Sequence, residues 1–403
     1  MWTFFEETKA KAAPARLGPD CQTCGLFAKC KHPKQKPVGK SKTVIVVDSP
    51  DDRADGLITN PKLADRLSKH GVSLGRYTVV PAIACPGNGA DNWQHCQPLL
   101  MDTLKQLQPE NIILLGKAAN RSVLSHLWRH PPEMPDRWYG RRIPSRELNA
   151  WVFPVGRAGK VKNPKVAEIH YYRWLDYALK ARARPYEVVP DYVPMVQILT
   201  DVQQIIDALK RASMSMISAF DYETNSLKST WPGAKIYSGS VAWLEGTKPH
   251  CVAFMFTPAI ADAWRAYLQS DSYKIAANFK FEDRWSRYFY GVEVNRWIWD
   301  TMICAHIADP QPMITGLKFQ AFTELGQPFY AGEVERYFEE STPDGLNMIH
   351  RIDQRELLLY NGIDSLAELD LGLLQMYQAG RNKTVWSDSL PGKHHYTYGE
   401  IGC

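Results

Sequence analysis

Met216-Ile217-Ser218-Ala219-Phe220-Asp221-Tyr222-Glu223-Thr224-Asn225 is the stretch on which the reading of this chain turns. Apolar and small residues lead into two acids, Asp221 and Glu223, at i and i+2. The pattern predicts a β-strand. Alternate side chains on a strand share a face, so both carboxylates point the same way. Two acids side by side on an otherwise apolar strand resist ionisation unless a positive charge sits between them. A hard divalent cation with oxygen ligands meets that need. An exposed acidic turn at a strand end is the plain alternative, and the residues downstream decide between the two.

Two more acidic clusters follow. One is Lys274-Ile275-Ala276-Ala277-Asn278-Phe279-Lys280-Phe281-Glu282-Asp283, and the other Leu359-Tyr360-Asn361-Gly362-Ile363-Asp364-Ser365. A helix is expected from about Asp353 to Tyr377. It places Tyr360 and Asp364 on one face, a turn apart. A tyrosine hydroxyl beside a metal-bound carboxylate can orient an attacking water.

In this order the three clusters resemble the DEDD 3′–5′ exonuclease superfamily, in its tyrosine-bearing branch, the proofreading domain of family A DNA polymerases. The resemblance runs from Ser213 to Met376. Asp221 and Glu223 match the Asp-x-Glu motif, and Tyr360 and Asp364 match Tyr-x-x-x-Asp. Asn278-Phe279-Lys280-Phe281-Glu282 matches Asn-x-Lys-[Phe/Tyr]-Asp, with Glu in place of the final Asp. Asp283 is the fallback ligand, although a helix turns it about 100° away. Trp299-Asp300-Thr301-Met302 and Gly316-Leu317-Lys318 look like the family's connecting segments.

The resemblance implies an RNase H-like exonuclease domain over 196–380 and two-metal hydrolysis with Mg²⁺ or Mn²⁺. Asp221, Glu223 and Asp364 hold the first ion, Glu282 positions the second, and Tyr360 holds the water. It also implies a single-stranded 3′ end as substrate, with Asn278 and Lys280 beside it. Trp285, Tyr288, Phe289, Tyr290, Trp297 and Trp299 crowd the same region, most of them expected in the core.

The other half of the chain differs in charge. Residues 1–190 hold 30 Lys and Arg against 17 Asp and Glu, a net of +13. Residues 191–403 hold 18 against 26, a net of −8. A basic half beside an acidic one suits a polyanion-binding body next to a metal-binding one. Residues 1–40 are expected to be irregular. Thr43–Val47, Tyr77–Val80, Asn111–Leu115 and Trp151–Phe153 are expected strands. Helices are expected around Leu63 and Leu67 and over Cys96–Leu107, Gly116–Leu124 and Ala167–Lys180. This alternation predicts a doubly wound α/β domain.

Five of the eight cysteines lie in the first hundred residues. Clustered cysteines in a chain without a secretory signal more often hold metal than form disulfides. Cys21, Cys24, Cys85 and Cys96 could bind an iron–sulfur cluster or a tetrahedral zinc, with Cys30 competing. With Leu114-Leu115-Gly116-Lys117-Ala118-Ala119, they resemble the Fe–S-containing uracil-DNA glycosylases over Gly18 to Lys180, which implies a structural [4Fe–4S] cluster. Two of that family's motifs are degenerate here. Its acidic turn reads Val47-Asp48-Ser49-Pro50-Asp51, and Val155-Gly156-Arg157-Ala158-Gly159 lacks the family's histidine. A non-cleaving α/β/α domain over 1–182 is the expectation, with Arg137, Arg141, Arg142, Arg146, Arg157, Lys160, Lys162 and Lys165 available to phosphates.

A linker is expected over 183–195 and a tail over 381–403. No run of 18 or more apolar residues suggests a membrane span. The whole reads as a cytoplasmic DNA-processing protein of a bacterial or phage-infected cell, in a reducing compartment. Its exonuclease would proofread beside a DNA polymerase or another replication protein, more as a separate subunit than as a truncated polymerase. The competing expectations are a decayed scaffold subunit and an active glycosylase–nuclease repair fusion.

Overall fold

A computed structural model describes residues 21, 23–27, 30, 36–50, 61–86, 92–128, 137–156, 164–180, 190–309, 311–332, 334–339 and 345–379. The expectations for residues 1–20, Arg157, Lys160, Lys162, residues 183–189 and the tail lie outside these. The chain divides into two units, Met1–Tyr186 and Glu187–Cys403. Both are mixed α/β, and no described helix is long and apolar enough to cross a membrane.

The first unit is built on β1 (Thr43–Val47), β2 (Thr78–Pro81), β3 (Asn111–Leu115), β4 (Ile143–Ser145) and β5 (Ala150–Val155), in the order β2-β1-β3-β5-β4. The first three and β5 run parallel, and β4 adds antiparallel to β5. Five successive residues of β3 are all buried, as a strand covered on both faces requires. The helices α1 (Pro61–Lys69), α2 (Trp93–Leu107), α3 (Lys117–Leu127) and α4 (Pro164–Lys180) are interleaved with the strands. Of the β4–β5 hairpin, only β4 is an addition to the expected strands. Ile143-Pro144-Ser145 is too short and too Pro-interrupted to show a period.

The second unit holds β6 (Val196–Ile198), β7 (Ile217–Thr224), β8 (Ile236–Glu245), β9 (Lys248–Met255), β10 (Tyr273–Ala276) and β11 (Trp297–Asp300), in the order β11-β10-β7-β8-β9-β6. The segment β7-β8-β9 is an antiparallel meander, and β6, β10 and β11 join in parallel. Part of the expected linker belongs to this unit: Tyr192 is buried, and its hydroxyl donates a hydrogen bond to Asp370.

Strand β7 divides its side chains by the period of two. Phe220 and Tyr222 enter one core, with Ile205 and Leu209 of α5 (Val202–Met214), Trp264 and Tyr267 of α6 (Ala261–Leu268), and Trp285 of α7 (Lys280–Tyr290). Ile217 and Ala219 face the other core, whose body is α11 (Gln354–Gln378) with Ala321 and Leu325 of α9 (Leu317–Leu325). The α11 helix is buried on nearly every side from Leu357 to Met376. It lies so close to the sheet that a Cβ at Gly372 would meet Ile275 at 2.7 Å. Its start is capped by Asp353, which accepts from the amides of Arg355 and Glu356.

Candidate metal centre

Continuing the odd-numbered face of β7, Asp221 and Glu223 follow Ile217 and Ala219 toward α11. Ser240 of β8, the register partner of Asp221, joins strand to helix. Its hydroxyl lies 2.6 Å from the Ser365 hydroxyl and donates to the Asn361 carbonyl at 2.7 Å. That seam sets Asn361 against Asp221, and its amide donates to Asp221 Oδ2 at 2.8 Å. One turn above Tyr360 on the same helix stands Asp364. One carboxylate oxygen from each of Asp221, Glu223 and Asp364 lies within 4.8 Å of the others.

Asp364 is held from two sides. Tyr330 donates to Oδ1, and Lys318 of α9 approaches Oδ2 at 3.4 Å. The Lys318 ammonium also sits 4.5 Å from the centre of the Tyr360 ring. Neither Lys318 nor Tyr330 was singled out in the sequence as a site residue. Only the Gly316-Leu317-Lys318 resemblance pointed near the first.

Burial, with Asp364 beside it, pushes the Asp221 carboxyl well above the usual carboxylate range. Burial and then Asp221 do the same to Glu223. Asp364 is raised by burial and partly relieved by Lys318 and Tyr330. Lys318 is drawn up by Asp364, against the opposing effect of its own burial. One ammonium does not answer three interior carboxylates. The remaining deficit is one that a bound cation would relieve.

Glu282 lies in the first turn of α7, buried, and its carboxyl is raised by burial and by Asp221. Asp283, the fallback, is engaged elsewhere. It pairs with Arg287 at 2.6 Å and accepts from the Val294 amide at 3.3 Å. The loop before α7 is held by Asp300, which accepts from the amides of Asn278 and Phe279 as well as those of Met302 and Ile303. Asn278 has φ 69°, a left-handed conformation that asparagine tolerates. Lys280 is exposed at the start of α7. Trp285 is buried, whereas Tyr288 and Phe289 are exposed on the same helix.

In the first unit the thiols of Cys21, Cys24, Cys85 and Cys96 are buried and none is in a disulfide. Burial is the largest influence on Cys85, and next comes a hydrogen bond with Cys30; the fields of Cys96 and Cys21 also reach it. Cys96 feels Cys24 and Cys30, and Asn92 donates to the Cys24 sulfur at 3.2 Å. Among the described residues, no three thiols have their sulfurs within 4.8 Å of one another. Arg142 stacks on Trp151 at 3.8 Å, and Arg141 donates to the Arg137 carbonyl at 3.4 Å.

Asp48, at the end of β1, accepts from the Ala119 amide at 3.0 Å, and the amides of Ala118 and Lys117 also face it. It therefore occupies the N-terminus of α3, the position where an anion would bind. Gly116 permits this approach. Its φ is 116°, and a Cβ there would meet the Asp48 carboxyl at 2.4 Å.

No protein-family model matches the chain, and no curated protein matches it. Several solved structures are similar in part. The POL domain of Pol1 from M. smegmatis, in complex with DNA primer-template and dNTP, is 13% identical over 48% of this chain and 29% of that one, with TM-score 0.33. Escherichia coli RNase D, an exoribonuclease involved in structured RNA processing, is 14% identical over 48% and 47%, with TM-score 0.37. Brucella melitensis NrnC with bound Mg²⁺ is 14% identical over 47% and 83%, with TM-score 0.32. The matched part spans less than two thirds of the first two. Likeness at this level says nothing about activity.

Proposed function

We propose that the second unit is a DEDD-type, RNase H-like 3′–5′ exonuclease that removes terminal nucleotides from single-stranded DNA ends. The observation that carries this reading is the gathering of Asp221, Glu223 and Asp364 from a strand and a helix distant in sequence into one under-neutralised group. The donor set fits Mg²⁺ or Mn²⁺, since every candidate ligand is a carboxylate oxygen.

When bound, such ions supply Lewis acidity at the phosphate and a hydroxide-like water at neutral pH. The chain's own residues do the rest. Asn361 orients Asp221, while Tyr330 and Lys318 fix the two oxygens of Asp364. Tyr360, in the field of Asp364, Glu223 and Asp221, is placed to position the attacking water. Burial keeps its hydroxyl protonated, so it donates rather than acts as a base. Asn278 and Lys280 flank the approach of the strand, and a polymerase acting in trans would supply the frayed 3′ end.

The test is digestion of a 5′-labelled oligonucleotide with a 3′ overhang, in Mg²⁺ or Mn²⁺, beside its RNA counterpart. A ladder of single-nucleotide steps that disappears in Asp221→Ala is expected. A folded wild type that leaves both substrates intact in either metal would reject the reading in favour of a scaffold.

For the first unit we propose that Cys21, Cys24, Cys85 and Cys96 hold a [4Fe–4S] cluster in a non-cleaving, glycosylase-like body that grips DNA or a partner. A tetrahedral zinc needs Zn–S near 2.3 Å, hence sulfurs about 3.8 Å apart. A brown protein absorbing near 400 nm after anaerobic purification is expected, and a colourless one loaded with zinc would contradict it. Asp48 on α3 weighs against an active glycosylase, because release of a base needs free charge-stabilising groups at such turns.

A further inference from the structure

One acid beside the centre belongs to none of the motifs above. Glu368 lies on α11 one turn beyond Asp364, at 1% exposure, and its Oε1 accepts from the Ala277 amide at 3.0 Å. Its Oε2 is buried with no hydrogen-bond partner. Glu282, at 2% exposure, also leaves its Oε2 buried and unpartnered. An interior carboxylate oxygen without a donor is costly, and native folds rarely keep one without a ligand for it.

The two orphaned oxygens belong to one electrostatic neighbourhood. The field of Asp221, followed by that of Glu282, acts on Glu368, and Asp221 acts likewise on Glu282. Lys318 approaches Asp364 and is not among the main influences on Glu282 or Glu368. Asp221 is thus common to two sets: it lies close to Glu223 and Asp364, and its field acts on Glu282 and Glu368.

We propose that Glu368 is a ligand of a second divalent cation, held between Asp221, Glu282 and Glu368. Glu282, from the first turn of α7, and Glu368, from α11, would each offer an unpartnered Oε2 to such an ion, with Asp221 as the third carboxylate. The Ala277 bond makes the arrangement rigid, because it ties Glu368 to the loop that carries Asn278 and leads into Glu282. The inference rests on the cation-dependent reading of the centre given above.

The test is an electron paramagnetic resonance titration of the full chain with Mn²⁺, in saturating thymidine 5′-monophosphate, a product of the proposed reaction. Glu368→Gln keeps an oxygen for the Ala277 amide but removes the charge. The wild type should bind two ions with a spin-coupled signal. Glu368→Gln and Glu282→Gln should each bind one, with roughly tenfold or greater weakening of the second and no loss of thermal stability. Glu368→Gln retaining both ions at unchanged affinity would overturn the proposal and make Glu368 a purely structural acceptor. A wild type binding one ion would also overturn it while leaving the first site standing. A wild type binding none would remove the cation-dependent reading itself.

Discussion

Both units place a carboxylate on or just past a strand of their central sheet, and they answer its charge in opposite ways. Asp48 closes onto the amides that open α3, so the chain supplies its own donors and leaves no room for an incoming anion. Asp221, Glu223, Glu282, Asp364 and Glu368 crowd one interior region where the close donors are Asn361, Tyr330, Lys318 and the Ala277 amide. The first arrangement is complete as folded. The second, once ionised, would carry more negative charge than its neighbours neutralise, a state a fold keeps where something else is to bind.

The comparison breaks most visibly through activity. Asp364→Asn and Asp221→Asn keep the shape of the centre and remove one charge each. Each should lower cleavage by on the order of 10³-fold or more, because the lost ligand acts in the transition state. Asp48→Asn should leave cleavage unchanged in the same assay.

A second consequence is thermodynamic. The acids of the centre have folded-state pKa values raised above their unfolded ones. Their contribution is therefore fully present below the unfolded values and is lost as pH rises through the folded ones. Without divalent ions, the second unit should lose stability as pH rises above the usual carboxylate range, read as a falling Tm. Lys274 acts in the opposite sense. Burial pushes its ammonium down to about 7, so stability gains as pH climbs above that value. Thermal melts of Asp221→Asn in EDTA separate the two effects. The variant should be more stable than wild type near pH 8, and Mg²⁺ should stabilise wild type far more than the variant.

The smallest effect concerns the first unit. Asp48→Ala leaves the first amides of α3 without their acceptor and should cost about 1 kcal/mol. Faster hydrogen exchange at the Ala119 amide would report it, with the response to divalent ions unchanged.

These contrasts were unequally legible in the sequence. The β-branched run Thr43–Val47 and the alternation around Asp221 announce strands, because a covered strand and a half-polar one have distinct patterns. Spacing within single elements showed Asp221 with Glu223 and Tyr360 with Asp364 only as separate pairs, and their order along the chain, through the resemblance, joined them. Lys318, Tyr330, Asn361 and Glu368 were not visible, because their roles come from elements brought together only by folding. The α11 helix hides two of them. A helix buried on every side has no polar stripe, so Asn361 and Glu368 read as ordinary helical positions until the sheet is packed against them. Asp300 was noticed only through its neighbours, and its role in holding the Asn278 loop depends on backbone amides that no side-chain pattern reports.

The most direct test of the central claim is calorimetric titration of Mn²⁺ into the metal-free protein near neutral pH, in two buffers of different ionisation enthalpy. Burial and mutual repulsion raise these carboxyls, so an entering ion should displace protons from them, and the apparent heat should then differ between buffers. Asp221→Asn should bind weakly and release fewer protons. Equal heats in both buffers, or no binding by a folded wild type, would contradict the claim that this acidic group is a divalent-cation centre.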